Sequence, residues 1–97
     1  MHPKQLPIPP IAQTDINARE LLRVWAAGGK QHLTLATNLW KDPAAWGVML
    51  VDLAKHIAAA YQQTSGEHQD SVLSRIREGF DAEWNHSTDE PIGGIEN

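Results

Sequence analysis

The clearest candidates for acid–base chemistry in this 97-residue chain are Asp52 and His56, four residues apart in an apolar run with helical periodicity. Residues four apart lie on the same side of an α-helix, so the carboxylate can orient the imidazole for general acid–base catalysis. The same spacing is typical of a surface pair that contributes about 0.2–0.5 kcal/mol to helix stability. No third catalytic partner is identifiable, so Asp52 and His56 are weak catalytic candidates and the surface pair is favoured.

Motifs for metals, cofactors and covalent catalysis do not occur in the sequence. The five histidines show no HxxxH spacing of the kind used by zinc sites, and the lack of cysteine removes thiolate ligands, thiol nucleophiles and disulfides. The Gly28-Gly29 pair fits neither phosphate-binding pattern, GxxxxGKS/T or GxGxxG, and no GxSxG serine motif is present. We therefore expect no metal and no cofactor.

The charge balance and the hydropathy pattern exclude two classes of partner. Twelve acidic and eight scattered basic residues give a net charge of -4, whereas nucleic-acid binders need a concentrated basic face. The longest apolar run, 48–57, contains Asp52, Lys55 and His56 and is shorter than the roughly 18 residues that a membrane span needs. The N-terminus has four prolines and no apolar signal-peptide core, and the chain lacks cysteine. We expect a cytoplasmic protein that binds neither nucleic acid nor membrane.

The main structural element is a helix predicted over 42–63, where Asp42 is a suitable N-cap and Pro43 suits the first helical position. Apolar residues then recur at helical spacing and form one stripe. The stripe consists of Trp46, Met49, Leu50, Leu53, Ile57 and Tyr61. Gly47 lowers helix propensity in this run, which predicts a close packing contact there, for example with a tryptophan.

A second helix is predicted to begin within 67–71, capped by Asp70 or Ser71, and to end near Trp84. Its apolar stripe contains Leu73, Ile76, Phe80 and Trp84. Thr64-Ser65-Gly66 separates the two helices, since glycine commonly ends a helix in the left-handed conformation.

A β-hairpin is predicted over 20–37, because two runs of alternating residues flank the turn at Gly28-Gly29. Leu21, Leu22 and Trp25 also fit a helical stripe, so a helix followed by a strand is the alternative for this region. The clearer alternation after the turn, with Leu33 and Leu35 between polar residues, favours the hairpin.

The chain is expected to form one α+β domain over 14–85, with an extended proline-rich arm at 1–13 and a flexible tail at 86–97. The arm contains four prolines that disfavour regular structure, and a disordered N-terminus is its alternative. The tail is polar and contains Pro91, Gly93 and Gly94. The order within the domain is hairpin and then two helices, a ββαα arrangement.

An isolated hairpin is marginally stable and exposes unpaired backbone groups at its edges. We expect dimerisation to complete it into a larger sheet, in which two hairpins form four strands. A monomer in which the N-terminal arm adds a third strand is the alternative. Four tryptophans are a surplus for a small core and suit an interface. The interface candidates are Trp25, Leu33, Leu35, Trp40 and Trp46.

Several of these motifs resemble a bacterial family known as domain of unknown function 5076. The resemblance covers roughly 6–88, and its most specific segments are Arg23-Val24-Trp25, Gly28-Gly29, Asp42 to Gly47 and Asp52 to His56. It implies a self-standing, cytoplasmic bacterial domain without a signal peptide, and it brings no catalytic or binding residues.

Taken together, the sequence favours a small soluble homodimer that acts as an interaction or accessory protein without catalytic activity, whose exposed aromatic surface meets itself or a protein partner. The alternative is a small-molecule-binding domain or minor enzyme with a pocket near Trp46, Asp52 and His56.

Overall fold

The computed structural model describes residues 2–86 and 92–96. Its elements, in chain order, are α1 (Pro10–Thr14), β1 (Leu22–Ala27), β2 (Lys30–Ala36), α2 (Ala44–Ser65), α3 (Gln69–Asn85) and β3 (Ile92–Glu96). The chain divides into two compact units. One, the sheet unit, comprises Met1–Thr37 with Ile92–Asn97, and the other, the helical unit, comprises Asn38–Pro91. The single domain expected over 14–85 includes parts of both units. It stays a prediction.

The sheet unit is built on the predicted hairpin. β1 and β2 are antiparallel, with Leu22 opposite Leu35 and Ala27 opposite Lys30. Gly28 and Gly29 form the two-residue turn with φ angles of 59° and 76°, which are characteristic of a type I′ turn and are readily adopted by glycine. The helical alternative for this region is therefore wrong, and the ββαα order of hairpin and two helices is confirmed.

A third strand extends the sheet, in the order β1-β2-β3. β3 runs parallel to β2, with His32 opposite Ile92 and Ala36 opposite Glu96. The prediction of a flexible tail over 86–97 did not include this strand at Ile92–Glu96. Residues 87–91 and 97 lie outside the described residues. β3 pairs with a strand more than fifty positions earlier in the chain. The local sequence around β3 does not predict this pairing, because its hydrogen-bond partners lie in β2.

The N-terminal arm contains a short helix that the expectation of an extended segment did not include. α1 begins at Pro10, in the first helical position, where a missing N–H breaks no helical hydrogen bond. Gln5 to Pro9, which precede α1, have no regular secondary structure. The third strand comes from β3 and not from this arm, so the monomeric arrangement with the arm as the third strand is not the one observed.

The helical unit contains α2 and α3, joined by a short turn. The Asp42 carboxylate accepts a hydrogen bond from the Ala44 amide (3.0 Å), while Pro43 occupies the N-cap position, so the helix begins one residue later than Pro43. Gly66 ends α2 in the left-handed conformation at φ 71°, and its amide donates to the Gln62 carbonyl. α3 is capped by His68, whose Nδ1 accepts from the Asp70 amide (3.2 Å), instead of by Asp70 or Ser71.

Small residues dominate the buried part of each unit. Ala36 in β2, Ala58 in α2 and Val72 in α3 are the buried apolar residues among those described, with exposed fractions of 2–8%. The close contact expected at Gly47 is wrong for the single chain, because a Cβ built there meets nothing within 4 Å. Neither α2 nor α3, nor the shorter α1, is long and apolar enough to cross a membrane.

Candidate protein interface

β1 forms an outer edge of the sheet, since β2 lies in the middle. The Ala36 amide donates to the Leu21 carbonyl (3.0 Å), so the backbone polar groups of Leu21 point towards β2. These directions alternate along an antiparallel strand, and the N–H and C=O groups of Leu22, Val24 and Ala26 therefore point away from β2. They have no backbone partner among residues 2–86 and 92–96. This row of groups is here called the β1 edge.

One face of the hairpin is apolar. Leu22 lies opposite Leu35 and Val24 lies opposite Leu33, and these four side chains share a face because every second residue of a strand points the same way. Val24 is 50% exposed, and the three leucines are half-buried. The predicted interface residues Leu33 and Leu35 therefore lie together on a surface that the single chain covers incompletely.

Trp25 lies on the opposite face of the hairpin, across from His32. The ring of His2, from the arm, packs edge-on against the indole with centroids 4.8 Å apart. Trp25 is half-buried as a result. The structure therefore separates this interface candidate from Leu33 and Leu35 by the thickness of the sheet.

A groove of ≈ 580 Å³ lies between the N-terminal arm and β1. Residues 4–9 line it on the arm side and residues 22–25 line it on the strand side; it is called the arm groove below. Arg23, one of its lining residues, is held by an ion pair with Glu20 at 3.0 Å. Arg19, also in the lining, donates a hydrogen bond to the Thr37 carbonyl at 3.3 Å. Two of its three basic side chains thus already have partners within the chain.

In the helical unit, Trp40 and Trp46 form an aromatic pair at the start of α2. Their rings meet edge-on with centroids 5.0 Å apart, and Trp40 remains 39% exposed. Asp42, between them in sequence, fixes the first turn of α2 and so helps to position the pair. The structure brings these two interface candidates together.

The predicted apolar stripe of α2 is only partly covered within the described chain. The four residues here named the helix stripe are 39–48% exposed, although they recur at the spacing of a core-facing helix. They are Leu50, Leu53, Ile57 and Tyr61. The buried residue of α2 is Ala58, and none of the four stripe side chains is fully covered within the described chain.

α3 adds an exposed aromatic stack, Phe80 on Trp84, with centroids 5.6 Å apart and Trp84 78% exposed. Other exposed positions of α3 carry charge pairs, including Arg77 with Asp81 at 3.1 Å and Arg75 with Glu78. Exposed pairs of this kind contribute little to stability. The aromatic stack is therefore the part of α3 best suited to binding another protein.

Asp52 and His56 lie on α2 with both side chains exposed. Within the described part of the chain neither side chain makes a hydrogen bond or an ion pair, either with each other or with another residue. The arm groove is lined by residues of the sheet unit and does not include them. Their catalytic role stays a prediction.

No cluster of three or more histidine or acidic side chains suited to a metal ion occurs in 2–86 and 92–96. Sequence reasoning identified unpaired edges of the hairpin but did not assign the open edge to β1, and it did not identify the arm groove. A signal for the edge was available, because a two-residue turn makes Ala27 and Lys30 the closing pair and so sets which β1 residues point outward.

Comparison with known proteins places most of the chain in one family. The family model for DUF5076, a domain of unknown function, matches residues 5–88. No curated protein matches the chain.

One solved structure resembles almost the whole chain. It is described as a "putative pyruvate dehydrogenase" from the photosynthetic bacterium Rhodopseudomonas palustrus CGA009. The two are 34% identical in sequence with a TM-score of 0.74, over 99% of this chain and 98% of that one. Those words describe that protein, and the likeness supports the fold of this one.

Proposed function

This chain belongs to the DUF5076 family, and we propose that it is a small homodimeric accessory protein that acts through protein–protein contact and not through catalysis. Its apolar surfaces would meet a second copy of the chain first and a protein partner second. The observation that carries this proposal is the helix stripe, four large apolar side chains at core spacing that are 39–48% exposed.

The single chain leaves several large apolar side chains exposed. Burying apolar surface contributes about 25 cal/mol per Å², and a fully buried Leu or Ile side chain contributes roughly 1.5–3 kcal/mol. The buried apolar residues among those described are two alanines and one valine. Association that covers the helix stripe would supply the burial that a chain of this size otherwise lacks.

Contiguous exposed apolar surface of this kind marks interaction sites in soluble proteins. Aromatic residues are enriched in such interfaces, and Trp84 and Trp40 are both exposed in the helical unit. The cysteine-free composition and the bacterial source of the similar structure support a bacterial cytoplasmic setting for this proposal.

The enzymatic alternative, with a pocket near Trp46, Asp52 and His56, receives no support from the geometry. The two side chains are exposed and make no hydrogen bond or ion pair with each other, whereas an acid–base pair needs hydrogen-bond reach. We therefore do not extend the proposal to it.

Light scattering on the purified chain at micromolar concentration tests the proposal. The expected result is twice the mass of the chain, with dissociation only on further dilution. A single monomeric mass that does not change with concentration would overturn the proposal.

A further inference from the structure

We infer that β1 pairs antiparallel with β1 of a second copy, with the two Val24 residues facing each other on a two-fold axis. The inference rests on the proposed homodimer and deepens it by naming the surface and the register. The two three-stranded sheets would then form one continuous six-stranded sheet with β1 strands at its centre.

The β1 edge is the first reason for this choice. Leu22, Val24 and Ala26 direct their N–H and C=O groups away from β2, and no described residue satisfies them. β2 has no such free edge, because β1 lies on one side of it and β3 on the other. The β1 strand also lacks the proline and lysine residues with which soluble proteins commonly protect an edge.

The direction of the backbone groups sets the register. An antiparallel pair exchanges hydrogen bonds only between residues whose polar groups face each other, so each outward-pointing residue of β1 must lie opposite an outward-pointing residue of the second copy. Centring the two-fold axis on Val24 uses all three outward residues of β1, since Leu22 then faces Ala26 of the second copy. Centring it on any other residue of β1 would pair fewer than three of these outward residues with one another.

Side-chain chemistry agrees with the same register. With Val24 on the axis, Arg23 faces Trp25 of the second copy, where a guanidinium can pack on an indole ring. A register that placed the two Arg23 residues opposite each other would bring like charges together, which destabilises strand pairs. The apolar residues Leu22, Val24, Leu33 and Leu35 of both copies would share one face of the joined sheet.

The arm groove lies alongside residues 22–25 of β1, and residues 4–9 of the arm also line it. The arm makes no backbone hydrogen bond to the strand within the described residues, so the hydrogen-bonding groups of the β1 edge stay available. A β1 strand of a second copy is the occupant that completes these backbone hydrogen bonds.

Engineered cysteines test the register, since the chain has no cysteine of its own. In the proposed dimer the two Val24 Cα atoms are about 5.5 Å apart, within the disulfide range. Val24→Cys should therefore give a covalent dimer on mild oxidation. Ala26→Cys is the matched control on the same strand and face, because its counterpart lies about 13 Å further along the partner strand, and it should stay uncrosslinked. A mixture of Leu22→Cys and Ala26→Cys chains should form the crosslinked heterodimer.

The outcomes separate this inference from the proposed function. If the variants keep a dimeric mass but neither Val24→Cys nor the mixed pair crosslinks, the dimer forms through another surface and the inference fails alone. Equal crosslinking of Val24→Cys and Ala26→Cys would also overturn it, because no single register would then exist. A monomeric mass for the unmodified chain would overturn both proposals. Circular dichroism of each variant checks that the fold is retained.

Discussion

The sheet unit and the helical unit leave different kinds of surface unsatisfied. In the sheet unit, the β1 edge exposes backbone donors and acceptors, and the apolar face around Val24 is partly covered. In the helical unit, α2 and α3 satisfy their interior backbone groups internally, and the surface left unsatisfied consists of exposed apolar side chains such as Leu53. A strand edge accepts another strand in one direction and register, whereas an apolar stripe has little directional preference.

Because of this difference, we expect the two surfaces to contribute differently to association. The β1 edge would specify how two copies align, and the helix stripe would contribute apolar burial to the assembly or to a protein partner. Changes to the backbone should therefore matter most in β1, and changes to side-chain polarity should matter most in α2.

The largest effect is expected from Val24→Pro. The substitution removes an outward N–H without removing a β1–β2 hydrogen bond, so the hairpin should survive while the dimer dissociates. Two symmetry-related hydrogen bonds of about 1 kcal/mol each and the clash of facing rings should raise the dimer Kd about 100-fold. Sedimentation across a dilution series measures this.

Arg23→Pro is the comparison for that variant, because the Arg23 N–H points towards β2. It should disrupt the hairpin itself, which circular dichroism would detect as lost strand signal. An unchanged Kd for Val24→Pro would contradict the assignment of the β1 edge.

The next largest effect is expected from the double substitution Leu53→Gln and Ile57→Gln. If association covers the helix stripe, two buried apolar side chains become polar and the Kd should rise at least about tenfold, or 1.4 kcal/mol. Helix content should stay the same, since glutamine is a good helix former. Lys55→Gln is the matched control on α2. If the double variant and Lys55→Gln both left the Kd essentially unchanged, the helix stripe would be shown to stay in solvent in the dimer.

A smaller effect is expected at Gly66, which ends α2 at φ 71°. Gly66→Ala should lower the free energy of unfolding by about 1 kcal/mol, because alanine is strained in the left-handed conformation although no atom lies nearby. Gly47→Ala is the control with ordinary helical φ and open space, and it should raise stability by up to about 1 kcal/mol. Thermal unfolding measures both. A loss of dimer in Gly47→Ala would show that a second copy packs there.

The smallest effect is expected from Asp52→Asn and His56→Gln. Both side chains are exposed and make no hydrogen bond or ion pair within the described residues, so stability and Kd should change by less than about 0.5 kcal/mol. Denaturant unfolding and sedimentation check this. A large change in stability or in Kd would show that Asp52 and His56 are covered in the assembly. The two residues would then again be candidates for a functional site.

Local patterns were sufficient for the hairpin and the two helices, because their signals are contained in short segments. The Gly28-Gly29 turn, the cap region at Asp42 and the apolar stripe of α2 each identify an element without knowledge of the rest of the chain. β3 could not be predicted in this way, since it contains two glycines and depends on a parallel partner far away in sequence.

The candidate interface was only partly predictable for a related reason. Composition identified apolar and aromatic residues such as Leu33 and Trp25, but the faces on which they lie follow from the register of β1 on β2. The exposure of the α2 stripe also required the structure, because helical spacing alone predicts a core-facing stripe whether or not another element covers it.

Residue-resolved amide hydrogen exchange along β1 tests the central claim most directly. Edge-to-edge pairing predicts slow exchange at every amide from Leu22 to Ala26, because inward groups bond to β2 and outward groups bond to the second copy. Fast exchange at Leu22, Val24 and Ala26, alternating with protection at Arg23 and Trp25, would show that the β1 edge is open and would contradict the account.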